Sequence, residues 1–353
     1  MSNRSLIAYF NEWQKTDSAL VLATVIHTEG STYSKAGRHI LIRVNGEHEG
    51  LLSGGCLEGD LAEQARSVFT TGAPQSVIYD MRDAADDLWG IGLGCNGMMQ
   101  ILLQLLNNDN HWQPFAAIAD AMTQATDSTG ALVTASDSLE LPAGTCFIHS
   151  GNGNWRNAVT DAPELYPLKH PEQPRTLPCI TNHDTPTGTS ALLHWRIRPW
   201  PKLLLLGAGP DAVPVVQLAN ILGWEITVAD HRQHYVESGK FDTADKLLLI
   251  DPKKMNQTLP IEQYSAVVVM SHHIETDRNY LQQLADSQLG CESYVGILGP
   301  AARRTKLLNE LSLTQTDFAR RLRGPVGLDI GSDSPETIAL SLISEIQSVI
   351  NAV

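Results

Sequence analysis

The clearest structural signal in the sequence is the stretch 202-KLLLLGAGPDAVPVVQLANILGWEITVAD-230. An apolar run ends in a glycine turn of the pattern G-x-G-x-x-G/A, a helical segment follows, and a second apolar run ends in an acidic residue. The glycines allow the backbone to approach a diphosphate, and the helix start offers free N–H groups and positive potential. Gly207, Gly209 and Asp230 are therefore candidate ligand contacts.

The alternation of strand and helix continues to the C-terminus and predicts a doubly wound, Rossmann-like parallel sheet over residues 199–353. Residues 1–198 are predicted to form a mixed α/β domain, in which 107–198 is an irregular extension and linker because it is rich in Pro, Asn and Thr. The fold class is α/β, with two domains. Strands are predicted near 19–28, 39–44, 47–53, 75–81, 202–206, 225–230, 246–250, 265–270 and 293–298, and 131–136 and 144–150 resemble strands within the less regular extension.

The overall charge limits the classes of partner. A net charge of −14 over 353 residues argues against general binding to nucleic acid or to an anionic membrane, both of which favour a basic surface. No apolar run approaches the length of a membrane span, and the N-terminal segment lacks the apolar centre of a signal peptide. The sequence thus predicts a cytoplasmic protein.

Two of the five cysteines lie in glycine-rich loops, 53-SGGCLEGDL-61 and 92-GLGCNG-97. The cysteine spacings fit neither a disulfide framework nor a zinc finger. Gly54 and Gly55 leave space beside Cys56, whose thiolate a following helix would stabilise, and Glu58 could hold a polar ligand group. Since thiolates suit soft metals and sulfur transfer, Cys56 and Cys95 are candidate metal contacts; an inert thiol in a tight turn is the alternative.

Polar residues at predicted strand ends extend the list of candidates. His272, His273 and Asp277 follow the strand at 265–270, where the ligand crevice of such sheets lies; a loop-anchoring hydrogen bond is the alternative for one of the histidines. Four arginines near glycine loops suggest an anionic ligand such as a phosphate, with solvated surface charge as the alternative. They are Arg303, Arg304, Arg321 and Arg323.

Several ordered motifs together resemble the xanthine dehydrogenase accessory factors, the XdhC/CoxI family. They include 22-LATVIHTEGSTYSKAGRHILI-42, the Gly-Gly-Cys-x-Glu element, the Gly-Leu-Gly-Cys element, the GAG turn and 323-RGPVGLDIGSDSPETIALSLISEI-346. The resemblance covers about 18–106 and 200–350. Asn96, His273 and Pro300 depart from the family's usual residues, and Pro300 removes a hydroxyl and an N–H.

The resemblance implies a protein that binds the molybdenum cofactor, promotes its sulfuration and delivers it to xanthine dehydrogenase or a related molybdenum hydroxylase. It implies a cofactor-binding chaperone rather than a turnover enzyme, in a homodimer, with a cysteine desulfurase as a further candidate partner. The candidate cofactor contacts are Gly54, Gly55, Cys56, Glu58, Cys95, Gly207, Gly209, Asp230, Arg232 and His272.

Two alternatives use the same residues. The glycine turn could serve an NAD-dependent oxidoreductase, with NAD or another nucleotide as the ligand. The two thiol loops could instead serve sulfur handling or redox sensing without molybdenum.

Overall fold

The computed structural model describes residues 2–55, 57–82, 97–124, 127–150, 155–158, 177–290 and 292–351. The chain divides into two compact units, Met1–Pro199 and Trp200–Val353. In the described part of the chain, no helix combines the length and the apolar character that crossing a membrane would require.

The N-terminal unit begins with a five-stranded sheet of order β3-β2-β1-β5-β4, in which neighbouring strands are antiparallel. Alternate residues of β1, such as Val21, Ala23 and Val25, pack with the apolar face of α2, as the two-residue period of a strand requires. The elements are α1 Asn3–Lys15, β1 Leu20–Gly30, β2 His39–Arg43, β3 His48–Glu49, α2 Glu58–Thr71, β4 Gln75–Asp80 and β5 Gly97–Leu106.

A second antiparallel sheet, of order β8-β7-β6-β10-β9, lies in the segment predicted to be an irregular extension. Its edge strand β9 alternates half-buried and exposed residues, so its polar composition reflects one solvated face rather than a lack of structure. Helix α3 and strands β6 to β10 therefore give regular structure to most of the described part of 107–198, with turns at 107–114 and 137–145. The elements are α3 Phe115–Thr123, β6 Ser128–Ser136, β7 Cys146–Ser150, β8 Trp155–Asn157, β9 Cys179–Thr185 and β10 Gly188–Ile197.

The C-terminal unit contains a six-stranded parallel sheet of order β13-β12-β11-β14-β15-β16, which confirms the Rossmann-like prediction. Leu203 and Leu205 pack on one face and Leu204 and Leu206 on the other, because helices cover both faces of the sheet. The strands are β11 Lys202–Leu206, β12 Glu225–Asp230, β13 Lys246–Leu249, β14 Ala266–Val269, β15 Tyr294–Ile297 and β16 Leu322–Arg323. The α-helices are α4 Ala212–Ile221, α5 Gln233–Val236, α6 Met255–Thr258, α7 Ile274–Ala285, α8 Ala301–Glu310, α9 Asp317–Arg321 and α10 Pro335–Ile350.

The strand order of this sheet reverses at the β11–β14 pair, since β12 lies on one side of β11 and β14 on the other. In open α/β sheets the ligand crevice lies outside the carboxyl ends of the strands at such a reversal. The glycine turn after β11 and the histidines after β14 are therefore placed at the expected position of a ligand site.

Candidate functional site

The glycine turn has the predicted strand–turn–helix setting, and its first glycine also has a packing reason. Gly207 has a φ of 141°, and a Cβ there would lie 2.4 Å from the carbonyl oxygen of Met270 at the end of β14. A Cβ on Gly209 would lie 2.6 Å from Oδ1 of Asp211. Only glycine lets residue 207 approach the backbone after β14 this closely, whereas the flexible Asp211 side chain can move aside from a Cβ at 209. Gly207 is thus required by the fold, and contact of either glycine with a ligand stays a prediction.

Asp230 is fully buried and hydrogen-bonds to the backbone of the glycine turn. Its Oδ2 accepts hydrogen bonds from Ala208 N and from Nη2 of Arg232, both at 2.7 Å, while Oδ1 accepts from Arg232 N at 2.8 Å and Nε at 2.9 Å. Burial alone would raise the pKa of Asp230, but the hydrogen bonds from Arg232 and Ala208 outweigh it and hold the pKa below its usual value. Four donors occupy the acceptor capacity of this carboxylate, so its role here is to fix the turn.

His272 connects the two loops at the sheet reversal. Its Nε2 lies 2.8 Å from Oδ2 of Asp211, which belongs to the glycine turn, and its backbone has the unusual positive φ of 61°. His273 instead caps α7, because its Nδ1 receives the N–H of Thr276 at 3.4 Å. His272 therefore lies at the crevice, whereas His273 has the loop-anchoring role that was the alternative for one of the pair and also lines the neighbouring cavity.

A cavity of about 390 Å³ is lined by residues that follow β12, β13 and β14, and we call it the C-terminal cavity. Its lining includes two cationic side chains, Arg232 and Lys253, and two carboxylates, Asp251 and Glu275. Such a mixture of donors and acceptors, in a volume typical of small-molecule sites, suits a polar heterocycle better than a run of phosphates. Sequence reasoning missed Lys253, although its place just after β13 was a signal that could have identified it.

The four arginines that suggested a phosphate site each have partners inside the C-terminal unit. Arg303 donates to Oδ2 of Asp277. Arg304 and Arg321 donate to backbone carbonyl groups, and Arg323 donates to Oε1 of Glu345 at 3.0 Å. These contacts brace the loops around α8 and β16, so the arginines have structural roles, and phosphate binding by them is not needed to explain their positions.

The loop before α2 is organised by Glu58, whose side chain is 2% exposed. The Glu58 carboxylate accepts hydrogen bonds from the N–H groups of Leu52 and Ser53, each at 2.8 Å, from the Ser53 hydroxyl at 2.8 Å and from Gly55 N at 3.0 Å. Burial alone would raise the pKa of Glu58, but these hydrogen bonds lower it below its usual value. Glu58 therefore shapes the loop, and its predicted contact with a ligand stays a prediction.

The two glycines of this loop present open backbone. Gly54 and Gly55 have φ angles of 81° and 106°, and a Cβ on either would meet nothing within 4 Å. Their positive φ angles, not crowding, require glycine here. Cys56 and Cys95, predicted as metal contacts, both lie outside the described residues. Among the residues that are described, no three His, Cys, Asp or Glu side chains converge as a metal site.

The residues on either side of the two cysteine segments lie where strands of the first sheet begin or end, at the same edge of the sheet. Because neighbouring strands are antiparallel, the end of β3 at Glu49 and the start of β5 at Gly97 lie at the same edge as the end of β1. A Cβ on Gly97 would lie 2.5 Å from the carbonyl oxygen of Ser31, so β5 begins tightly packed against the end of β1. The residues flanking both cysteine segments therefore share this edge.

The fold and the site define a class of α/β protein. Such a protein has a Rossmann-type unit and, in its other unit, the two glycine-flanked cysteines of the sequence. A family model described as "XdhC and CoxI family" matches residues 13–80, and one described as "XdhC Rossmann domain" matches 203–346. The chain is 32% identical over 327 residues to a Bacillus subtilis (strain 168) protein named as a probable xanthine dehydrogenase subunit, covering 92% of each chain. The protein therefore belongs to the XdhC and CoxI family.

Two further relatives extend the comparison. The "Molybdenum cofactor insertion chaperone PaoD" of Escherichia coli (strain K12) is 21% identical over 98% of this chain and 88% of its own length. A crystal structure of a protein described as a xanthine dehydrogenase, from Bacillus halodurans, has a TM-score of 0.78 and 28% identity, covering 100% of this chain and 96% of that one. The similarity thus extends across both units.

Proposed function

We propose that this protein is a maturation factor that binds the molybdenum cofactor and delivers it to xanthine dehydrogenase or a related molybdenum hydroxylase. The observation that carries the proposal is the similarity over 98% of the chain to a relative named as a molybdenum cofactor insertion chaperone. Because that similarity includes both units, the proposal requires the thiol loops and the Rossmann-like crevice to act in one process.

The C-terminal cavity supports the binding of a pterin-type ring. A pterin presents amide and amine donors beside ring acceptors, and the cavity offers Arg232 and Lys253 together with Asp251 and Glu275. His272, at the neighbouring crevice, would add one ring nitrogen as a hydrogen-bonding group. These residues would orient the organic part of the cofactor, while the cofactor itself supplies the molybdenum and its dithiolene ligands.

The thiol loops support a role in handling sulfur. The open backbone of Gly54 and Gly55 would admit a large ligand to the loop, and soft thiolates are suited to molybdenum and to sulfur exchange. We therefore assign Cys56 and Cys95 to cofactor binding and to sulfuration, with a cysteine desulfurase as the sulfur source. A homodimer is the expected assembly in this scheme.

Two features of the crevice disfavour the alternative of an NAD-dependent oxidoreductase. A dinucleotide site needs an acidic acceptor for the ribose after the second strand, but Asp230 already receives four hydrogen bonds. The carboxylate of Asp211 also lies in the glycine turn, where it would repel a diphosphate. Both features are compatible with a ligand that uses the adjacent cavity instead.

The test is retention of the cofactor by the purified full-length protein. Cofactor released from a donor molybdoenzyme is added, unbound material is removed by gel filtration, and the protein is analysed for molybdenum and for pterin fluorescence. We expect retention by the wild type, reduced retention by Cys56→Ala and Cys95→Ala, and lower sulfide content in the target hydroxylase that they activate.

The chain provides a matched control in Cys179→Ala, because Cys179 is a half-buried thiol in the edge strand β9. This variant should retain the cofactor as the wild type does. NADH fluorescence titration is the opposing measurement. Saturable NADH binding without cofactor retention would replace the proposal with the oxidoreductase, and full retention by both cysteine variants would remove the thiols from it.

A further inference from the structure

A second cavity, of about 210 Å³, lies within the N-terminal unit, and we call it the N-terminal cavity. Three arginines line it, namely Arg38, Arg196 and Arg198, together with the start of α1 at Ser2 and Asn3. The described lining contains no aspartate or glutamate. In a chain whose net charge is −14, a cavity wall of this composition favours an anionic ligand.

Two of these arginines share one acidic neighbour, Asp127. Nε of Arg196 lies 3.7 Å and Nε of Arg198 lies 3.8 Å from the same Oδ2 of Asp127, and all three side chains are more than a third exposed. The same carboxylate is therefore the ion-pair partner of both guanidinium groups. Arg38 adds a third positive charge to the wall.

Two buried nitrogens give an independent indication of a ligand. His39 and Trp195 line the cavity and are only 5% and 3% exposed, yet Nε2 of His39 and Nε1 of Trp195 have no hydrogen-bond partner among the described residues. Nδ1 of His39 lies 2.9 Å from the hydroxyl of Thr24. Buried polar atoms in native proteins are nearly always paired, so these two nitrogens call for an acceptor that the described part of the chain does not supply.

The indole nitrogen of Trp195 is a donor, and the tautomer of His39 decides the role of its Nε2. Burial lowers the pKa of His39 to about 3, so the ring is neutral near pH 7. In the tautomer that accepts from Thr24 at Nδ1, Nε2 carries the proton, and the indole of Trp195 can only donate. A ligand that satisfies them must present acceptor oxygens, as a phosphate or another oxyanion does.

The start of α1 adds to this preference. The helix has 13 residues, its first turn contains no acidic residue, and the Ser2 hydroxyl accepts from Ser5 N at 3.2 Å. The N-terminal end of the helix carries partial positive charge and suits an anion. The start of α1 and the three arginines therefore both favour an anionic ligand in the N-terminal cavity.

We propose that the N-terminal cavity binds a phosphate group through Arg38, Arg196 and Arg198, with His39 and Trp195 as neutral donors. The planar fork of a guanidinium matches two phosphate oxygens at once, and three forks can surround a single group. The volume is below that of ordinary small-molecule pockets, which fits free phosphate or the phosphate end of a larger molecule. This site does not depend on the cofactor proposed above.

Isothermal titration of the full-length protein with inorganic phosphate tests the site, with sodium chloride of equal ionic strength as the reference. We expect saturable binding that Arg38→Gln, Arg196→Gln and Arg198→Gln each weaken by about tenfold or more, because each removes a charge-assisted hydrogen bond. Titration with glycerol phosphate separates the two sources, since tighter binding than inorganic phosphate identifies an organic monoester as the ligand.

Two control variants locate the binding. Arg66→Gln removes an exposed arginine of α2 in the same unit, and Lys253→Gln removes a cation of the C-terminal cavity. Both should bind phosphate as the wild type does. The absence of saturable binding beyond the chloride reference, or unchanged affinity in all three cavity variants, would overturn the proposal. Loss of binding in Lys253→Gln alone would place the anion in the other cavity and overturn it as well.

Discussion

Glu58 is the residue on which the shape of the thiol loop depends most directly. Its carboxylate is buried and accepts four hydrogen bonds from residues that immediately precede α2. Replacement by Gln preserves size but places an NH₂ group among N–H donors. Because hydrogen bonds to charged groups contribute about 1.5–3 kcal/mol each and several are weakened together, we expect Glu58→Gln to lower the free energy of unfolding by about 2–4 kcal/mol in urea.

The acid dependence of stability provides a second measurement on the same residue. Since the pKa of Glu58 is lowered by folding, its contribution is fully present above its usual pKa of 4.5 and is lost as the pH falls through the lower folded value. The wild type should therefore lose more stability between pH 6 and acid conditions, about pH 3, than Glu58→Gln does. Glu63→Gln, an exposed glutamate of the same helix, should behave as the wild type in both measurements.

Arg232 allows the corresponding prediction in the C-terminal unit. Its guanidinium is the main partner of the fully buried Asp230, and Arg232→Gln would leave that carboxylate with backbone donors only. Breaking a buried pair costs about 3–5 kcal/mol, and because Arg232 is partly exposed we expect about 3 kcal/mol in urea unfolding at neutral pH. Lys240→Gln, an exposed cation after α5, should change stability little; a similar loss in both would contradict this pairing.

Glu58 and Asp230 also show how far the role of a single residue can be predicted from sequence. The sequence identifies Glu58 and Asp230 as special because each follows or precedes a glycine turn at the end of a regular element. It cannot tell an acid that contacts a ligand from one that receives the backbone N–H groups of its own turn, since both need the same residue at the same place. Only the hydrogen-bond geometry separates the two roles.

At the scale of elements, the short strand β16 is held to the terminal helix α10 by one buried glutamate. Glu345 accepts hydrogen bonds from the Tyr294 hydroxyl at 2.6 Å, from Nη1 of Arg323 at 3.0 Å and from Gly327 N at 2.7 Å. Burial first, and then the contact with Glu345, raises the pKa of Tyr294, so the hydroxyl stays protonated and donates. This network connects β15, β16, the turn after β16 and α10.

Glu345→Gln should therefore loosen the turn after β16 more than the rest of the sheet. We expect a loss of about 1–3 kcal/mol in urea unfolding, because charged acceptors are replaced by a neutral amide. Hydrogen–deuterium exchange should become faster at 324–328 while β11 remains protected. Glu336→Gln in the exposed first turn of the same helix is the control. Uniformly faster exchange across the unit would contradict a local role for the network.

Prediction from sequence was most complete where an element is buried on both faces. The strands of the parallel sheet appear as uninterrupted apolar runs, and their alternation with helices specifies the topology. The strand-like pieces at 131–136 and 144–150 correspond to β6 and β7 of the second sheet, whereas β9 was missed because it is an edge strand with one solvated face, and its Thr, Asn and Asp residues resemble a loop. An edge strand depends on its pairing with β10, which is not visible in its own composition.

At the scale of the whole molecule, three hydrophobic clusters among the described residues each use residues of one unit. One cluster of the N-terminal unit combines β1, β2, β5 and α2, whereas both clusters of the C-terminal unit use only residues after Pro199. A segment that buries its own apolar core can fold without the rest of the chain. The domains assigned from sequence, 1–198 and 199–353, remain a prediction about independent folding, and the compact units provide the place to test it.

Division of the chain after Pro199 tests that independence directly. We expect fragments 1–199 and 200–353 each to unfold cooperatively in urea and to give the far-ultraviolet circular dichroism of folded α/β proteins, because neither loses a strand from its sheets. The control is division between Leu193 and His194, which cuts through β10, the strand that pairs with both β6 and β9, and should leave the N-terminal fragment without a cooperative transition. If 200–353 fails to unfold cooperatively while the intact chain does, its parallel sheet depends on the N-terminal unit, and the crevice at its reversal point must then be studied only in the full-length protein.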